Sequence, residues 1–190
     1  MKRLLLFFIA VCGISAFCGD SYWIWAEQKV AETKSISYFR LPVNIDDDVL
    51  SAELYTIADD AMEIYINGSK ALPMRFFDQK PARITIRRYE FKHELKDGKN
   101  MLAVVVVNQG GPGGVIMKGS IRLANGKTID LASNEQWKSA MSTSVKGRWE
   151  PLNYDDSAWK PAFKIGDASM KPWSNMSDAV NFFGMPGGAK

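Results

Sequence analysis

The chain has 190 residues, 46% apolar and 24% charged, which is the composition of an ordinary globular protein and excludes a disordered one. Its 24 basic residues stand against 21 acidic ones. A body this close to neutral, without a Lys/Arg stripe, argues against a nucleic-acid surface, because such affinity comes from neutralising phosphates.

Lys2 and Arg3 precede an apolar run from Leu4 to Val11 and small residues through Ala16. A charged start, an apolar run and a small-residue end predict a secretory signal peptide over 1–18. Cleavage after Cys18 puts Ala16 and Cys18 at the two small-residue positions; cleavage after Ala16 is the alternative. The run is too short for a hydrocarbon core of about 30 Å, which takes on the order of 20 apolar residues, and no later stretch is longer. The expectation is an exported protein without a membrane span, secreted or periplasmic, with the outer surface as a further address. A lipid anchor at Cys18 is disfavoured by the bulky Phe17 before it. Cys12 and Cys18 are the two cysteines, so the body is expected to hold no disulfide and to rely on its core. A body of ~170 residues buries roughly 70% of its unfolded surface, enough for one self-sufficient domain.

From Tyr22 onward, short β-branched and aromatic runs alternate with Gly, Asn, Asp and Pro, the pattern of strands and turns. Eight strands are predicted: Tyr22 to Ala26, Ser35 to Val43, Leu50 to Ala58, Met62 to Asn67, Ala82 to Tyr89, Met101 to Asn108, Val115 to Leu123 and Lys127 to Leu131. Their spacing is that of an all-β sandwich. Ala52, Leu54 and Thr56 alternate with Glu53, Tyr55 and Ile57, which predicts one buried and one partly wet face. Leu102 to Val107 is apolar without alternation and predicts a central strand covered on both sides. Asn67-Gly68 and Asn125-Gly126 are hairpin signals, because both central residues of the favoured tight turn need positive φ. Ser177 to Phe183 is a helical hint of two turns, with Ser177 as N-cap and Gly184 as stop. The sandwich is therefore bounded at 19–166, and 167–190 is read as an irregular tail.

Several stretches, in order, carry a family resemblance: Tyr22-Trp23-Ile24-Trp25-Ala26, Tyr38-Phe39-Arg40, Ala58-Asp59-Asp60 leading to Ile64-Tyr65-Ile66-Asn67-Gly68, and Leu95 to Val104. They continue with Gly110-Gly111-Pro112-Gly113-Gly114, Gln136-Trp137-Lys138 and Tyr154-Asp155-Asp156-Ser157-Ala158-Trp159. Together they resemble the β-sandwich accessory domains of bacterial α-L-rhamnosidases and related glycoside hydrolases, the galactose-binding-domain-like jelly roll. The resemblance implies an antiparallel jelly roll that faces carbohydrate, is often calcium-assisted and sits beside a catalytic domain. It implies a polysaccharide or glycan partner. About 27 residues follow Phe163, where an enzyme of that kind needs a barrel supplying acid and base carboxylates, so a non-catalytic module is expected.

In relatives of this kind Asp-Asn lies near calcium and sugar hydroxyls, and Asp59-Asp60 stands at the matching place. The resemblance thus implies Asp59 and Asp60 as sugar and calcium ligands; Asp60 keeps an oxygen for a hard cation but lacks amide donors for a hydroxyl. A plain turn acid is the competing reading. Tyr65, with an apolar body and a polar tip, and Asn108, at the end of the covered strand before the glycine loop, complete the candidate sugar site. Arg40 and Arg75 are further candidates for sugar hydroxyls. Trp23 and Trp25 share one strand face and are read as core in preference to a sugar platform. His93, the single histidine, has no nucleophile elbow to serve and cannot make a zinc site alone.

Overall fold

The computed structural model describes residues 19–26, 34–77 and 86–184. The predicted signal peptide lies outside these residues, as does the first part of the strand predicted over Ala82 to Tyr89. Among the described residues, no helix is long and apolar enough to cross a membrane.

Two six-stranded antiparallel sheets face each other. The first places β12 (Phe163–Asp167), β1 (Tyr22–Trp25), β8 (Gly114–Leu123), β3 (Val49–Asp59) and β6 (Arg87–Glu90) in that order, with β9 (Thr128–Asp130) paired to β8. The second runs β11 (Lys160–Pro161), β10 (Lys138–Met141), β2 (Ser35–Ile45), β7 (Gly98–Asn108), β4 (Ala61–Ile66) and β5 (Ser69–Phe76). All eight predicted strands have counterparts, and β5, β10, β11 and β12 are additional. The architecture is an antiparallel β-sandwich, as the strand pattern predicts.

β7 explains why the second sheet holds. It lies between β2 and β4, and its unbroken apolar run feeds two clusters. Leu102, Val104 and Val106 point into the main core between the sheets. Met101, Ala103 and Val105 point outward and are covered by Trp149, whose ring lies 4.6 Å from Tyr38 and 5.6 Å from Tyr65. The alternation read in β3 holds for Ala52, Leu54 and Thr56, all buried. Ile57, expected on the wet face, is buried too, since the end of the chain covers that side and Phe182 lies 4.9 Å from Tyr55.

The segment after β12 is irregular up to a short helix, α1 (Ser177–Gly184), yet it is not loose. Trp173, Met176, Ala179 and Phe183 are all buried in the main core. Trp173 stacks on Trp23 at 4.0 Å and 17°, and Trp25 meets Phe39 at 6.5 Å, so both early tryptophans are core, as read from their position.

The turn at Asn67-Gly68 has φ of 53° and 82°, the doubly positive hairpin geometry expected. Its asparagine is fully engaged: Nδ2 donates to Glu94 O and to Asn100 Oδ1, while Oδ1 accepts from the Met101 amide. At Asn125-Gly126 only Gly126 is positive, at 87°. The Leu123 amide bonds Lys127 O at 2.9 Å, so this turn spans three residues and needs a left-handed residue only at its last position.

Candidate functional site at the Asp59-Asp60 end

β3 ends at Asp59 and β4 begins at Ala61, with Asp60 between them, and the Asp59-Asp60 peptide bond is cis. Asp60 is tied by its backbone to both neighbours of β4: its amide donates to Val107 O at 3.0 Å, and its carbonyl accepts from the Phe77 amide at 2.8 Å. Its Oδ2 accepts from the Gln109 amide at 2.6 Å. The carboxylate therefore caps the start of the glycine loop, a charge-assisted bond of the stronger kind. Asn108 closes that loop from inside. Its Nδ2 donates to Gly111 O and its Oδ1 accepts from the Gly110 amide, each at 3.0 Å, and the side chain is buried. A Cβ at Gly113 would meet Asn108 Cγ at 2.7 Å, which explains a glycine there.

Asp59 faces the other way. Its Oδ2 accepts from the Trp173 indole N–H at 2.8 Å, so this acid pins the C-terminal segment to the end of β3.

Of the four candidate residues, Asp59, Asp60 and Asn108 meet at this end of the sandwich. Tyr65 does not. It sits four positions along β4 from Ala61, ~13 Å at strand rise, on the outer face against Trp149. Burial, aided by its hydrogen bond to Glu63, pushes its phenol up to about 12.

The arginines also divide. Arg40 is fully buried and fastens the segment 151–156: it donates to Pro151 O at 2.8 Å and Tyr154 O at 3.2 Å, and pairs with Asp156 at 3.3 Å. Its guanidinium lies over the rings of Tyr154 at 5.2 Å and Trp159 at 5.9 Å. Desolvation lowers its pKa while Asp156 works to raise it. The suggestion that Arg40 meets sugar hydroxyls is thus corrected, because no donor of a buried, engaged guanidinium reaches solvent. Arg75 is exposed on β5, facing Met62 in the register.

One residue at this end escaped the sequence reading. Phe76 lies opposite Ala61, next to Asp60, and is 59% exposed. A large apolar ring left in solvent suits the C–H face of a sugar ring. The signal in the sequence was the end of an edge strand at Arg75-Phe76-Phe77, where one of two adjacent aromatics must point outward.

A calcium ion takes roughly six to eight oxygen ligands. Asp59 and Asp60 each give one oxygen to an N–H donor within the fold. Among the described residues, no three Asp, Glu, His or Cys side chains gather as a metal group.

No family model matches the chain. It is 28% identical over 171 residues to an α-L-rhamnosidase of Streptomyces avermitilis, covering 85% of this chain and 16% of the relative. The crystal structure of the Streptomyces avermitilis α-L-rhamnosidase complexed with L-rhamnose superposes with a TM-score of 0.66 at 26% identity, over 83% of this chain and 16% of that one. A Pleurotus ostreatus lectin, solved in complex with GalNAc, superposes with a TM-score of 0.65 at 19% identity, over 83% of this chain and 47% of the lectin, and shares the fold. The chain spans about one-sixth of the rhamnosidase it matches. Sequence and architecture together show a β-sandwich similar to one segment of α-L-rhamnosidases, consistent with a galactose-binding-like domain.

Proposed function

We propose that the protein is an exported, non-catalytic carbohydrate-binding module whose sugar contacts lie at the Asp59-Asp60 end. The observation that carries this reading is the exposed Phe76, paired with Ala61 just after Asp60, on a fold and sequence that match one segment of a rhamnosidase. The Phe76 ring takes the apolar face of a sugar, and the Asp60 oxygen not held by the Gln109 amide accepts from its hydroxyls. Water competes well for such contacts, so affinity per site is weak. A glycan array, followed by titration calorimetry with L-rhamnose in calcium and in chelator, tests the reading. Binding lost in Phe76→Ala and Asp60→Ala supports it, and its survival in chelator separates the site from a calcium-dependent one. A folded protein silent on the array refutes it.

A second reading is favoured by a different observation. Asn108 is buried and engaged, and both carboxylates hold other parts of the fold. The same arrangement suits a structural subunit of an exported assembly that keeps the sandwich without a sugar site.

A further inference from the structure

The outer face of the second sheet holds a groove of about 840 Å³, remote from the Asp59-Asp60 end. Asn44 and Lys99 are register partners near the start of β7, whereas Asn108 closes that strand, ~30 Å away at strand rise. Met101 and Pro42 give the groove an apolar floor, and Leu152 and Tyr154 wall it. Leu152 is 42% exposed. The wall is pre-formed, because the buried Arg40 holds the carbonyls of Pro151 and Tyr154 and the carboxylate of Asp156. A fixed wall spares a ligand the cost of ordering it.

The polar rim is unevenly engaged. Lys138 pairs with Asp156 at 2.6 Å, and Asp46, just past the end of β2, pairs with Lys127 at 2.6 Å. Lys99, Asn44 and Asn153 are exposed and make no side-chain hydrogen bond or ion pair among the described residues. One cation and two amides thus converge, without internal partners, on an apolar floor. Two amides offer both donors and acceptors, which matches hydroxyls, and the ammonium offers only donors, which matches an anion.

We propose that this groove binds a carboxylated oligosaccharide, with the Lys99 ammonium on a uronate carboxylate, Asn44 and Asn153 on ring hydroxyls, and Met101 and Leu152 under the ring's C–H face. The proposal adds a second face to the carbohydrate reading and takes from it only the general class of ligand.

Titration calorimetry of the full chain with trigalacturonate and with its carboxyl-reduced, neutral counterpart decides it. The wild type is expected to bind the acidic trisaccharide in preference to the neutral one, and more weakly at high salt. Lys99→Gln and Asn153→Ala should each weaken that binding, Lys99→Gln by about tenfold, while Asp60→Ala leaves it unchanged. Both substituted positions are exposed, so matched melting curves should show an intact fold. Equal binding by Lys99→Gln, a preference for the neutral sugar, or no binding by the wild type overturns the proposal. Neutral-sugar binding lost only in Asp60→Ala overturns it while leaving the loop-end site standing.

Discussion

Replacing Arg40 with Met removes a fully buried guanidinium and keeps most of its apolar stem. Two backbone carbonyls, Pro151 O and Tyr154 O, lose donors at 2.8 and 3.2 Å, and Asp156 loses its pairing at 3.3 Å. Breaking a buried charged pair by deleting one partner costs about 3–5 kcal/mol, because the remaining groups stay desolvated and unpaired. Asp156 keeps Lys138 at 2.6 Å, which places the expectation toward the lower end. For a domain of this size each kcal/mol moves Tm by about 2–4 °C, so the midpoint should fall by roughly 6–12 °C. Chemical denaturation followed by tryptophan fluorescence measures it, since Trp149 and Trp159 flank the segment that Arg40 holds. A loss below about 1 kcal/mol would refute the assignment of Arg40 as the fastening of that segment.

Two further substitutions probe other parts of the fold. Trp173→Ala removes the stack on Trp23 and the donor to Asp59; it should cost about 3–5 kcal/mol in equilibrium unfolding, and a cost within 1 kcal/mol would mean that the C-terminal segment does not belong to the cooperative core. Asp167 is held below the ordinary 3.8, first by the Ser169 hydroxyl and then by the Ser169 amide. Its contribution is therefore present above pH 3.8 and is lost as pH falls through the lowered value. The Tm gap between the wild type and Asp167→Ala should be full at neutral pH and narrow in acid, and a gap that widens in acid contradicts the linkage.

The parts of the fold that read from sequence are those with a local signature. The unbroken run Leu102 to Val107 announced a strand covered on both faces, and Ala52, Leu54 and Thr56 announced the inner face of β3. β5 carries Pro73, which lowers its strand signal, and it lies at the sheet edge where proline is tolerated. β10, β11 and β12 are short, and their pairings are set by partners far along the chain, Tyr38 with Ala140 or Tyr22 with Asp167. The same distance in sequence hid the employment of the site residues. Asp59 answers to Trp173, 114 positions away, and Arg40 answers to Pro151 and Tyr154, so neither role could be read from its own neighbourhood.

The register puts Tyr22 beside Asp167, one strand spacing of ~5 Å apart, and the core-packed segment that follows β12 returns to the same place, a Cβ at Gly184 lying 3.9 Å from that of Ala168. A unit that begins and ends at one point behaves like a bead on a loop. It can be spliced into a surface turn of a larger protein without prying that turn apart, and it can be relinked head to tail and opened elsewhere as a circular permutant. A sandwich of this form is suited to travel between host architectures, carrying both of its faces with it.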